Sequence, residues 1–174
     1  CERVSTRHHL VQPANMNSVE QIVIAGHLKA VEEVSLLAKK SGAKKVVTLP
    51  VSAPFHSPLM KPAEIKLQKE LGKIIFKDHQ FPVISNVDVR PITMASFVSE
   101  ALVRQVCSPV RWSETMHYLV EQGIEVFVEL GTGKVLSGLM RRFNKEVKCF
   151  QVGDPDSLKI TVEACKSLLK NCDN

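Results

Sequence analysis

Apolar and polar positions change period several times along the chain, and each change marks an element. Around Leu10 to Ala14, and again over Gln21-Ile-Val-Ile-Ala25, the residues favour extended backbone. Between them Asn15-Met-Asn-Ser18 supplies turn chemistry, so two strands with a turn at 15–18 are expected. Val31, Val34 and Ala38 then recur at helical spacing, and Ser41-Gly42 is a natural C-terminal stop. Lys45 to Val51 reads as a third strand. Together these residues outline most of a small α+β unit.

Pro50 to Pro58 holds three prolines and cannot be regular structure. Beyond it Leu59, Ala63, Leu67, Leu71 and Ile74 line one helix face, and Val83-Ile84 is a short strand running into Ser85-Asn86. Met94, Phe97, Val98, Ala101 and Leu102 mark a second amphipathic helix, and Trp112, Met116 and Leu119 a third. Glu125 to Glu129 reads as a buried strand with a helix through Leu136, Leu139 and Met140 behind it. Val147 to Val152 and a helix through Leu168-Leu169 close the pattern. Strands alternating with helices from position 80 onward predict an α/β arrangement, a parallel sheet covered on both faces.

Composition narrows the class. With 44% hydrophobic and 24% charged residues in 174, the chain suits one well-buried core and at most a small second unit. No window approaches a membrane-spanning apolar run. The net charge of +5 comes from scattered basic residues without interleaved aromatics, which argues against nucleic acid and suits an acidic protein partner or a phosphorylated cofactor. Cysteines at 1, 107, 149, 165 and 172 form no CxxC pair, and the six histidines offer no ligand spacing, so neither a disulfide framework nor a metal site is expected. The start on Cys1, without Met or an apolar signal core, is what an incomplete chain would show.

Two motifs sit where chemistry is done. Glu129-Leu-Gly-Thr-Gly-Lys134 joins a strand to a helix, a place suited to anions, but Val128 and Val135 break the Walker pattern and Leu136 breaks the dinucleotide pattern. A tight turn packing helix against sheet is the expected role. Pro54-Phe-His-Ser-Pro58 holds a His on a loop whose freedom two prolines limit. His56 is therefore either a general base or a structural histidine. No Gly-x-Ser-x-Gly or Gly-x-Cys-x-Gly occurs in the 174 residues to provide its nucleophile.

Taken in order, Asn15-Met-Asn-Ser18, Gln21-Ile-Val-Ile-Ala-Gly26 and Leu49-Pro-Val-Ser-Ala-Pro-Phe-His-Ser-Pro-Leu-Met60 resemble the malonyl-CoA:acyl-carrier-protein transacylases. Ile84-Ser-Asn-Val-Asp88, Leu102-Val-Arg-Gln-Val-Cys-Ser-Pro-Val-Arg-Trp112 and Glu129-Leu-Gly-Thr-Gly-Lys-Val-Leu-Ser-Gly-Leu139 continue the resemblance over nearly the whole chain. It departs at two turns, Val19-Glu20 where the family usually has Pro-Gly and Thr132 where Pro is usual.

The resemblance implies the second half of an α/β-hydrolase-like core at 51–174, with the C-terminal part of an incomplete ferredoxin-like subdomain at 1–50. The family's Ser, in a Gly-His-Ser-Leu-Gly elbow, and its malonyl-carboxylate Arg would precede this sequence, and without them the 174 residues should be inactive. His56 matches the family base, and its orienting partner would be the backbone carbonyl of Gln105. Asn15, Asn17 and Gln21 match an edge facing the coenzyme A arm, though each is equally well explained as completing a turn. Phe55 matches a wall of the acyl pocket.

The implied reaction is ping-pong malonyl transfer from malonyl-CoA to acyl carrier protein in fatty-acid synthesis. Malonyl-CoA is then a substrate, no cofactor is permanently bound, and neither nucleic acid nor membrane is a partner. The bacterial type implies the cytoplasm, or an organelle if a transit peptide precedes the chain. Two alternatives stay open: an acyltransferase module of a polyketide synthase, disfavoured by the absence of a linker after Cys172-Asp-Asn174, and a non-catalytic fragment that binds coenzyme A or carrier protein.

Overall fold

The computed structural model describes residues 1–170, which leaves Cys172 and the Cys172-Asp-Asn174 end outside the described residues. Contacts divide the chain into two compact units, Cys1–Thr115 and Met116–Asn174. Both mix helix and strand, so the chain is α/β.

The first unit opens with an antiparallel hairpin of β1 (Val11–Ser18) and β2 (Gln21–Gly26). The turn is Val19-Glu20, not Asn15 to Ser18 as expected. Asn15 to Ser18 stay in the ladder because partners lie on both sides. Asn15 faces Val23 of β2, while Val110 donates to Ala14 O (2.8 Å) and accepts from Met16 N (2.9 Å). Register shifts between Pro13 and Asn15, and between Met16 and Ser18, bulge the strand, and Pro13 adjoins the first of them.

Helix α1 (Leu28–Lys40) lies on this hairpin. Ala30, Val11 and Val4 are buried together, with Ile24, Val31, Val34 and Leu37 packed around them. Its end is the expected stop. Gly42 takes φ +93°, its N–H bonds Lys39 O, and Ala43 N bonds Ala38 O, which satisfies carbonyls the helix leaves open. Gly26 answers a different need. A Cβ there would sit 2.1 Å from Leu10 O and 2.6 Å from Val11 Cα, so only a residue without one lets the two backbones approach.

The strand expected over Lys45 to Val51 does not form; residues 43–52 hold no helix or strand. A strand needs a neighbour for its N–H and C=O groups, and no described strand pairs with this stretch. Val47, Leu49 and Val51 stand exposed.

A 3-10 turn at Pro58–Met60 leads into α2 (Lys61–Leu71), which packs on α3 (Ala95–Cys107). Leu71, Val98, Ala101 and Val103 are buried, whereas Met94, Phe97 and Leu102 remain exposed. Strand β3 (Val83–Ser85) does not enter a parallel sheet. It pairs antiparallel with β4 (Arg90–Ile92), and Arg104 of α3 holds the intervening turn through Asp88. The unit ends within α4 (Trp112–Glu121).

The second unit is a βαβ arrangement. Strands β5 (Val126–Leu130) and β6 (Lys148–Val152) pair in parallel, α5 (Val135–Phe143) connects them, and α6 (Pro155–Lys170) follows. Leu139 and Met140 of α5 are buried, as their spacing predicts. The parallel sheet is narrower than expected: among the described residues it has these two strands alone. For that reason β5 is not buried as predicted, and Val128 and Leu130 are exposed.

Gly26→Ala should destabilise the intact protein by about 1–3 kcal/mol, the usual cost of forcing extra volume into a packed site. A urea-unfolding midpoint unchanged by the substitution would show that the hairpin shifts without strain.

Candidate active site

Among the described residues His56 is one of two non-glycine residues with positive φ, at +59°. This region costs free energy for an L-residue and persists where the surroundings over-determine it. Pro54 and Pro58 restrict both flanks. The fully buried Ser57 donates its hydroxyl to Pro54 O at 2.7 Å, and Met60 N donates to Ser57 O at 2.9 Å. The loop is thus closed on itself, with His56 at its turn.

The ring meets α3 at a chemically defined point. His56 Nδ1 lies 3.0 Å from the backbone oxygen of Gln105. A carbonyl only accepts, so Nδ1 is the donor, and in the neutral ring the lone pair is then on Nε2. Gln105 O is available because it belongs to the last turn of α3. The residue that would normally donate to it is Pro109, which has no N–H. The Gln105 side chain donates to Ser108 O (3.0 Å) and Pro109 O (3.3 Å), curling the chain beyond the helix.

Of the other sequence candidates, Asn15 lies in β1 beside Val110, on the segment that follows α3. Asn17 and Gln21 lie at the far end of the hairpin, where Ser18 pairs with Gln21. Phe55, next to His56, exposes half its surface.

Sequence reading missed two features. The first is Gln12, whose amide Nε2 donates to His56 O at 2.8 Å. Its position in a strand, two residues before a bulge, carries no signal of that role. The second is a cluster on α2 and α3: Glu64 accepts from Cys107 Sγ at 3.1 Å and pairs with Lys61 Nζ at 2.8 Å. Lys61 holds the Glu64 carboxyl below its ordinary range. Burial, then the neighbouring Glu64, pushes the Cys107 thiol up to about 11. Cys107 is therefore a protonated thiol at neutral pH and no substitute for a nucleophile.

The glycine-rich motif of the second unit binds an anion, but one of its own. Glu129 at the end of β5 accepts from Leu136 N (3.0 Å), Ser137 N (2.8 Å) and Ser137 Oγ (2.6 Å), filling the N-terminus of α5 with a carboxylate. Gly131 at φ +133° and Gly133 at φ +91° let the chain turn tightly enough for this contact. The Ser137 hydroxyl, then the backbone amides, lower the Glu129 pKa. Among the described residues no group of three His, Cys, Asp or Glu could hold a metal, and no helix is long and apolar enough to cross a membrane.

The loop histidine and its carbonyl partner both lie inside the stretch that a family match covers. The chain belongs to the acyl transferase domain family, whose model covers residues 2–154. More particularly, it is 44% identical over 165 residues to the malonyl CoA-acyl carrier protein transacylase of Bacillus subtilis, covering 95% of this chain and 52% of that protein. It is 42% identical over 163 residues to the Escherichia coli enzyme of the same name, covering 94% and 52%.

Among solved structures, the acyl-carrier-protein S-malonyltransferase of Bartonella henselae superposes with TM-score 0.89 at 41% identity, over 94% of this chain and 52% of that one. A malonyl-transacylase in complex with a type II polyketide acyl carrier protein gives 0.90 at 43%, over 94% and 53%. The chain spans about half the length of the relatives it matches.

Because the folded-state pKa of Glu129 is lowered, its contribution to stability is present above the ordinary carboxylate range and is lost as pH falls through the folded value. Glu129→Gln should lower Tm at pH 7, and the gap from the parent should close as the pH is taken toward 3. A gap that is constant across the series would mean the carboxylate charge is not what caps α5.

Proposed function

We propose that this chain is the base-bearing part of an acyl-carrier-protein malonyltransferase, which moves malonyl from coenzyme A to the phosphopantetheine thiol of acyl carrier protein in fatty-acid biosynthesis. The observation that carries this reading is the 3.0 Å contact of His56 Nδ1 with Gln105 O, which favours the Nδ1–H tautomer and so leaves Nε2 of the neutral ring as the base. The names of relatives more than 40% identical to it give the substrate class.

The chemistry is written for the intact protein, with a Ser supplied from outside these 174 residues. His56 Nε2 removes the Ser proton as the Ser oxygen attacks the malonyl thioester carbonyl. Collapse of the tetrahedral adduct expels coenzyme A, whose sulfur takes that proton from the imidazolium. In the second half, Nε2 removes the proton of the carrier thiol, the thiolate attacks the acyl-Ser ester, and the departing Ser oxygen is reprotonated. Each half returns His56 to its starting state, so one base serves both. Malonyl-CoA enters as substrate, and the reading requires no resident cofactor.

The remaining assignments follow the same resemblance. Asn15, Asn17 and Gln21 line the edge toward the coenzyme A arm, and Phe55 walls the acyl pocket. Residues 1–50 complete a ferredoxin-like subdomain and 51–174 an α/β-hydrolase-like core, working in the cytoplasm as the bacterial type implies. Service to a polyketide carrier is a second reading, favoured by the likeness to the transacylase that forms a complex with such a carrier.

His56→Ala in the intact protein should lower malonyl transfer by about 10²–10⁴-fold with the fold retained, as expected for loss of a general base. Near-normal turnover of that variant would place the base elsewhere. Phe55→Ser should narrow the preference for malonyl-CoA over methylmalonyl-CoA, since one methyl group against a shaped wall changes selectivity by about 10–200-fold. Measured as a ratio of kcat/KM, an unchanged preference with both rates reduced would make Phe55 a support of the loop only.

A further inference from the structure

We propose that Gln12 is a positioning residue for His56, an inference that rests on reading His56 as the base. The two faces of β1 do different work. Val11 is buried in the cluster with Ala30 of α1, and the next residue, Gln12, points to the opposite side of the strand. There its Nε2 donates to His56 O at 2.8 Å and lies 3.5 Å from Cys107 O, the outer limit of a hydrogen bond.

These two carbonyls belong to the two backbone segments whose separation sets the bond from His56 Nδ1 to Gln105 O. One is the proline-flanked loop and the other is the end of α3. The amide of Gln12 therefore spans from one segment to the other and ties both to a strand anchored in the core.

His56 especially needs such a tie. Its backbone is in the left-handed region, and the loop's own bonds, Ser57 to Pro54 and Met60 to Ser57, close the turn without fixing its distance from α3. The Gln12 bond lands on the peptide that follows His56, where rotation would swing the ring. Without it the loop can relax away from Gln105 O, and the Nδ1–H tautomer loses the carbonyl that selects it. Gln12 touches no reacting atom in this account. Its effect passes through the ring, so it should appear in kcat and in the tautomer rather than in substrate binding.

The test uses the intact protein. Gln12→Leu removes the donor, and Gln12→Glu, of the same length and ionised at neutral pH, carries the test should the first variant fail to fold. The expected result is a kcat lower by about 10–100-fold, with KM for malonyl-CoA within about threefold of the parent. Nitrogen-15 NMR of labelled histidine should show a single Nδ1–H tautomer for His56 in the parent and a mixture in the variant. In a His56→Ala background, adding Gln12→Leu should change the residual rate by less than about twofold, because a residue that acts through His56 has nothing left to act on.

Parent kcat with an unchanged His56 signal would overturn the proposal, as would a full additional loss in the His56→Ala background. Should His56→Ala itself retain activity, the reading of His56 as the base fails. An inactive His56→Ala beside a fully active Gln12→Leu rejects the role of Gln12 alone.

Discussion

Everything proposed for this chain depends on one hydrogen bond, from His56 Nδ1 to the backbone oxygen of Gln105. A side-chain carboxylate in that place could gain or lose a proton and could rotate away. A helix-end carbonyl can do neither, because its direction is set by the α3 backbone. Pro109 keeps the acceptor open by removing the N–H that would have competed for it. The acceptor that meets His56 Nδ1 is therefore built from helix geometry and a missing donor.

In the second unit a charged side chain of the protein itself occupies a helix end of the kind that suits a phosphate. Glu129 on β5 reaches the first amides of α5 across the turn with Gly131 and Gly133. This ties strand to helix through charge-assisted bonds and uses up the local anion-binding capacity. The failed Walker and dinucleotide spacings thus have a structural counterpart: the site is occupied by a residue of the motif itself.

The exposed apolar side chains follow from how few strands each sheet holds. Three two-stranded sheets leave Val128 and Leu130 without a covering layer among the described residues, and Val47 and Leu49 lie in a stretch that holds no strand. In the first unit burial comes instead from α1 on the hairpin and from α2 on α3. Between these packed parts, β1, the His56 loop and the end of α3 are joined by the Val110 bonds to Ala14 and Met16, by Gln12 on His56 O and by His56 on Gln105 O.

Local physics determined what was legible in the sequence. Among the described residues the six α-helices follow from apolar spacing, the Ser41-Gly42 stop from the backbone freedom of glycine, and the irregular loop around His56 from its prolines. The partnership of His56 with Gln105 was reached only through resemblance, since a carbonyl leaves no trace in residue type. Tertiary structure decided whatever needs a partner distant in the chain. It kept Asn15 to Ser18 in a strand because Val110 and β2 flank them, and it denied a strand to Lys45 to Val51 for want of a neighbour. It paired β3 with β4 across a turn, and it set Gln12 on a carbonyl 44 positions away. Periodicity records which face of an element is apolar; only the folded chain specifies what that element lies against, because a hydrogen bond is made by two groups and the sequence order separates them.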